Sequence, residues 1–403
     1  MEQGFRRGRI RWFPVLLTLL VLVVAACSTG SSGEAKKPTS SSSSPTSTTD
    51  PDRPTSGATA VAAARTRLEP WLSGTYQKPP STGPKATAGA KIYVVSCGQF
   101  LESCSILVDG VLAGAKAIGW QTTLVDTKLD FASAGDAIRQ AMAANARGAI
   151  VVGVDCQYFT GALDDAKAAN FPVIVLNAFD CDTTSGGKEP ARLTAQVDFT
   201  PGNEDPVENA KRFASAKADW AIVKTNAKLK VINLEQQDLL ATKLLGEGFA
   251  DGVARCASCS VVDTVQFATS DLLDGTFSQK ISQSIVQHPE ADAINFPFAA
   301  TVSLGLSGVK DSGRSDLMVL GAEGAPSQYQ LLNDGTIAMV MAFPAGWTGW
   351  AAIDSLNRAF AKSPQVYEGV GYKLMTAEDM KGATTFTVPV DYEAAYRKLW
   401  GVG

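Results

Sequence analysis

Ala149-Ile150-Val151-Val152-Gly153-Val154, then Gly161-Ala162-Leu163-Asp164-Asp165-Ala166-Lys167-Ala168-Ala169, then Pro172-Val173-Ile174-Val175-Leu176 reads as strand, helix, strand. Neither apolar run alternates with polar residues, so both strands are expected to be covered on both faces, as in a parallel sheet. The turn Asn170-Phe171-Pro172 fits a helix-to-strand transition in which proline opens the strand.

The same alternation extends outward from this unit. Upstream, Lys91–Ser96 and Gln121–Val125 read as strands, and Ile106–Ile118 and Ala134–Ala146 as helices. Gly119 before Trp120 supplies a left-handed helix cap. Because parallel crossovers are right-handed, these elements wind into one doubly wound sheet. Downstream the pattern restarts. Helices are expected at Val207–Lys217, Leu240–Ala254, Leu272–Gln287, Ala299–Leu306, Ser327–Asn333 and Trp350–Ala361. The intervening strands are Lys230–Leu234, Ser260–Phe267, Ala293–Phe296, Leu317–Leu320 and Thr336–Ala342. The fold class is therefore α/β, with two Rossmann-like lobes and a cleft where the strand C-termini converge.

The N-terminus reads differently. Arg6, Arg7, Arg9 and Arg11 precede an apolar run from Trp12 to Ala26 that contains Pro14 and ends in Val24-Ala25-Ala26-Cys27. The run is shorter than the roughly 18 residues a membrane span needs, so residues 1–27 are expected to be a secretory signal. Residues 28–57 are rich in Ser, Thr and Pro and are expected to form a disordered tether. Residues 58–87, with a helix at Ala60–Leu72 and a proline-rich connector at Tyr76–Lys85, are expected to pack outside the lobes.

Composition narrows the function. With 36 basic and 40 acidic residues the net charge is −4, and no basic cluster suggests nucleic acid. The lone histidine, His288, precedes Pro289, a poor setting for a general base. No metal-ligand cluster, phosphate loop or Gly-x-Ser-x-Gly elbow appears, so neither an enzyme nor a cofactor is expected. Seven cysteines leave an even six after Cys27. In an exported chain these are expected to form disulfides, with Cys256 and Cys259 paired. Cys97, Cys104, Cys156 and Cys181 stay unassigned.

Val-Ala-Ala-Cys27 resembles a bacterial lipobox, which implies a lipidated Cys27 and a protein anchored on the extracytoplasmic face of the cell membrane. From Lys91 onward the chain resembles type I periplasmic binding proteins, the sugar-binding branch that serves ABC transporters. The resemblance is carried by Asp109-Gly110 through Ala117-Ile118-Gly119-Trp120, by Asp136-Ala137-Ile138 and by Ala149-Ile150-Val151-Val152. It continues in Ala166 through Ile174, Gly246-Glu247-Gly248-Phe249, Gly321-Ala322-Glu323-Gly324 and Asn333-Asp334-Gly335-Thr336-Ile337-Ala338. It implies a monomer that captures a sugar and delivers it to an ABC permease, or presents it to a membrane receptor as a sensor. It also implies three crossings between lobes, near Asn177–Phe199, Glu323–Pro326 and Phe343–Trp347. Lobe 1 would be residues 88–198 plus 344–375, and lobe 2 residues 199–343 plus 376–403.

A sugar site combines aromatic faces with amides and carboxylates, so candidates were sought just after strands. They are Gln99, Phe100, Asp155, Gln157 and Asn177 in lobe 1, and Gln236, Asn295, Phe298 and Glu323 in lobe 2. Phe343 and Trp347 bracket a crossing. By the resemblance, Asp155 would bind two hydroxyls and Lys243 would be a cationic contact; the alternatives are a helix cap and a solvated helix residue. Cys156 stands where relatives often carry arginine, and Phe296-Pro297-Phe298 and Phe343 replace more polar segments. The pocket is thus expected to be more aromatic than a pentose site, suiting a monosaccharide or else a nucleoside, a polyol, or a small aromatic or amphiphilic solute.

Overall fold

The computed structural model describes residues 54–197, 199 and 205–403. The signal, Cys27 and nearly all of the tether lie outside the described residues. Among the described residues no helix is long and apolar enough to cross a membrane.

Strands β1 (Lys91–Ser96), β2 (Gln121–Asp126), β3 (Gly148–Val152), β4 (Val173–Leu176) and β5 (Ala195–Gln196) form a parallel sheet in the order β2-β1-β3-β4-β5. Every residue of β3 and β4 is buried, as their unbroken apolar sequence requires. Helix α1 (Gly57–Ser73) precedes this sheet, α2 (Glu102–Ile118), α3 (Ser133–Ala143) and α4 (Thr160–Ala168) cross over it, and the short α5 (Cys181–Thr184) follows β4. Gly119 caps α2 in the left-handed region at φ +81°.

The second lobe begins with α6 (Pro206–Lys224). Its sheet contains β6 (Lys230–Gln236), β7 (Ser260–Phe267), β8 (Ala293–Asn295), β9 (Met318–Glu323), β10 (Met339–Ala342) and β11 (Lys373–Met375). The order is β11-β10-β9-β8-β6-β7, parallel throughout except for β11. Its helices are α7 (Leu240–Ala254), α8 (Thr269–Asp274), α9 (Thr276–Gln287), α10 (Ala299–Asp311) and α11 (Pro326–Asn333). The single helix expected over Leu272–Gln287 is thus two, broken at Gly275 with φ +81°.

Helix α12 (Ala345–Phe360) returns to the first lobe and packs on α2. The contact is backbone to backbone: a Cβ on Gly349 would lie 2.1 Å from the Gly110 carbonyl carbon. After β11 come α13 (Ala377–Met380) beside α11, and α14 (Tyr392–Trp400) against α12 and α2.

Two expectations about the lobes need correction. Glu323–Pro326 is not a crossing, since it links β9 to α11 within the second lobe. The described elements instead change lobe five times: across 74–90, between 197 and 205, at 343–344, across 361–372 and across 381–391. The C-terminal assignments also change, because β11, expected in lobe 1, joins the second sheet, and α14, expected in lobe 2, packs on the first lobe. There Trp400 stacks on Trp350 at 5.5 Å, its Nε1 donates to Asp354, and the Tyr396 hydroxyl donates to buried Glu368.

The extra passes come from the ends of the chain. Helix α1 buries Ala60, Ala64, Leu68 and Trp71 against the second lobe, and Arg67 forks onto Asp219 at 2.6–3.1 Å. The connector then pairs with the 361–372 crossing through Thr75 N to Tyr372 O and Gln77 N to Gly369 O, both 2.9 Å. Further on, the carbonyl oxygens of Thr82, Pro84 and Lys85 accept from Arg358 and Asn357 of α12. The segment is therefore a strap tied to both lobes.

Candidate functional site

The C-terminal ends of both sheets face a cavity of about 620 Å³. The first lobe lines it from the loops that follow its strands: Phe131 after β2, Asp155 after β3, Asn177 and Phe179 after β4. The second lobe contributes Gln236 from β6, Leu239, Thr242 from α7, Phe298 and Glu323. The crossings add Phe343 and Tyr372, whose rings stack 5.5 Å apart at 15°. Its carboxylates are Asp155 and Glu323, and no lysine, arginine or histidine is among the described lining residues.

Both carboxylates are already engaged. Asp155 is fully buried; Oδ1 accepts from Phe179 N at 2.9 Å, and Oδ2 accepts from Leu240 N of the opposite lobe at 2.7 Å. Leu240 opens α7, so Asp155 satisfies a free helix N–H across the cleft and meets the positive end of the helix dipole. Burial pushes its carboxyl above the ordinary range, while the N–H groups of Phe179, Leu240 and Ala241 pull the other way. Glu323 Oε2 accepts from Ala299 N at the start of α10, at 2.7 Å. Burial raises Glu323 as well, against the pull of that N–H and of Lys217. Lys217 is itself buried behind the wall, donates to Phe296 O at 2.6 Å, and is pushed down to about 7 by desolvation.

Other bonds join the lobes. Tyr158 Oη donates to Asp238 O at 2.5 Å and Gln157 Nε2 to the same oxygen at 3.2 Å. Glu102, at the start of α2, accepts from both the backbone N–H and the hydroxyl of Ser327 on α11. With Asp155 these contacts latch the lobes together around the cavity.

Two disulfides stiffen the same rim, and a third lies between α7 and β7. Cys97 pairs with Cys104, Cys156 with Cys181, and Cys256 with Cys259 as expected. The first pair lines the cavity, and the second ties the loops after β3 and β4. Among the described residues, Cys156, Asp180 and Cys181 lie close enough to share a metal, but their two sulfurs are joined to each other.

Residues 101–363 match the family model described as "Periplasmic binding protein domain". The chain belongs to this periplasmic binding protein family. It is 26% identical over 238 residues to the ribose import binding protein of Escherichia coli (strain K12), covering 59% of this chain and 73% of that protein. A glucose-galactose binding protein from Geobacillus stearothermophilus superposes with a TM-score of 0.61 at 18% identity, covering 72% of this chain and 99% of that one. A solute binding protein from Mycobacterium smegmatis with bound glycerol gives 0.59 at 16% identity, with 74% and 98% covered. The two-lobed fold inferred from the strand pattern is thus the type I periplasmic binding protein fold.

Of the residues singled out in the sequence, this periplasmic binding protein gathers Asp155, Asn177, Gln236, Phe298, Glu323 and Phe343 around the cavity. Six others do not line it. Gln99 folds back onto Ser96 Oγ, and Phe100 is 59% exposed. Gln157 sits at the lobe contact, and Lys243 pairs with Glu247 on its own helix at 3.0 Å. Asn295 is buried beneath the wall, donating to Asn233, and Trp347 is fully buried between Tyr76 and Tyr392. Asp155 reaches the cavity, but Oδ1 accepts from Phe179 N of its own lobe and Oδ2 caps α7 of the opposite lobe, so neither is left open for hydroxyls. Sequence reasoning missed Phe131, Phe179, Leu239, Thr242 and Tyr372. Phe131 and Phe179 follow strands and obey the rule used for the others; a search weighted toward polar side chains passed over them.

Proposed function

We propose that this chain is the extracytoplasmic solute-binding component of an ABC importer. It takes up an uncharged, hydroxylated solute of the sugar class between its lobes and carries it to the permease, acting as a monomer without chemistry of its own. The observation that carries this reading is the cavity enclosed by two lobes that touch through Asp155, Tyr158 and Glu102. Hinge closure about a solute is what such an arrangement does. The names of the relatives, a ribose import protein and a glucose-galactose binding protein, support the sugar class and the importer.

Membrane attachment through a lipid on Cys27 follows from the lipobox reading, the tether giving the lobes reach. A thermal-shift screen of sugars and polyols tests capture, because a solute held by the native state alone raises the melting temperature. The absence of any shift across the panel would count against the reading. Fractionating cells that express Cys27→Ser tests the anchor: the variant should leave the membrane fraction, and retention there would refute lipidation.

A further inference from the structure

The walls of the cavity differ in what they offer a guest. In the second lobe most of the lining polar atoms are bound to other protein groups. Gln236 Nε2 donates to Thr269 Oγ1 at 2.9 Å, Gln236 Oε1 accepts from Thr242 Oγ1 at 2.8 Å, and Glu323 accepts from Ala299 N. Apart from the second oxygen of Glu323 and the Asn209 amide, what that wall presents is apolar: Leu239, Leu245, Leu272 and Phe298, with Phe343 beside them. In the first lobe, Asn177 ends β4, and Gln196 lies on the adjoining strand β5, in register with Val175. No hydrogen bond joins either side-chain amide to a described residue, so both are open to a ligand. The cavity thus joins a polar corner to a broad apolar and aromatic body, with no cation among the described lining residues.

We infer that the ligand is an uncharged amphiphile: a sugar head joined to a ring-sized apolar group, as in an aryl glycoside, rather than a free monosaccharide. This rests on the reading of the interlobe cavity as the solute site. The amides of Asn177 and Gln196, with Glu323 and the unpartnered Gln365 Oε1, suffice for one sugar ring, but a free monosaccharide would leave the apolar body of the cavity uncovered. About 620 Å³ is within the range of drug-sized ligand pockets. An aryl group placed against Phe298 and Leu272 removes apolar surface from water on both sides. The sugar ring meets the amides of Asn177 and Gln196.

The test is calorimetry on the full chain with matched series: free sugar, methyl glycoside and phenyl glycoside of glucose, galactose and ribose. The uncharged fluorophore N-phenyl-1-naphthylamine is titrated alongside as a reporter of apolar sites. Burying a phenyl ring predicts that in at least one series the phenyl glycoside binds about tenfold or more tighter than the methyl glycoside and displaces the fluorophore. Free or methylated sugars binding as tightly as the phenyl compounds would overturn the inference while leaving the cleft as a sugar site. Fluorophore binding with no response to any glycoside would overturn the sugar head. No binding of fluorophore or sugar would overturn the inference and the solute-binding reading together.

Discussion

Replacing Asp155 with alanine removes the hydrogen bond that joins the buried interior of one lobe to the start of α7 in the other. A hydrogen bond to a charged group contributes about 1.5–3 kcal/mol. Part of that is offset, because the variant no longer buries a carboxylate that desolvation already disfavours. The net loss of closure free energy is then about 1–2 kcal/mol, which weakens ligand binding about 5- to 30-fold where binding requires the joined lobes. Phe179 N also loses its acceptor, but that cost falls within one lobe and does not bear on closure. Two assays separate a latch from a ligand contact. Calorimetry gives the affinity, and small-angle scattering of the unliganded protein gives the balance between open and closed forms. A latch changes both, whereas a carboxylate that served only ligand hydroxyls would change affinity and leave the scattering alone. Unchanged affinity, or weakened affinity with identical scattering curves, would refute the reasoning. Gln157→Ala is the control, since its bond to Asp238 O is exposed and 3.2 Å long, and both readouts should barely move.

Lys217 predicts a pH dependence. Its folded value near 7 lies below the ordinary 10.5, so between those values the unfolded chain holds the extra proton. Unfolding free energy attributable to this residue must then rise with pH from about 7 to about 10.5; Lys217→Met should abolish that rise in urea melts, and parallel pH profiles for the two proteins would contradict the assignment. Replacing Cys156 and Cys181 by serine opens a loop of sequence separation 25 and should cost about 3.5 kcal/mol by chain entropy, seen as a lower urea midpoint. Trp71→Ala in the strap should cost about 3 kcal/mol or more, because the ring is 9% exposed and packs on Phe213; a loss below about 1 kcal/mol would mean the strap is not part of the core.

The layered α/β order was legible because β3, β4 and their neighbours are continuous apolar runs divided by amphipathic helices. What escaped were pieces with little periodicity. Strands β5 and β11 are two and three residues long and exist through pairing with neighbours, which no local pattern encodes. Helix α14 did carry a signal: Asp391 accepts from Ala394 N, Gly401 closes the helix, and Tyr396, Leu399 and Trp400 share its buried face. The cavity was half legible. Looking just after strands found Asp155, Asn177 and Phe298, but the same rule failed for Gln99, whose amide folds back onto Ser96 Oγ, and for Phe100, which faces solvent. The latch could not be read, since Asp155 and Leu240 are 85 residues apart and meet through the hinge alone.

The most direct test is a crystal structure of the protein grown with the tightest-binding solute from the screen. Density for one solute molecule between the lobes, against Phe298 and within hydrogen-bonding reach of Asn177, is the predicted result. A saturating solute found on an outer face, with the space between Asp155 and Glu323 left unfilled, would contradict the account.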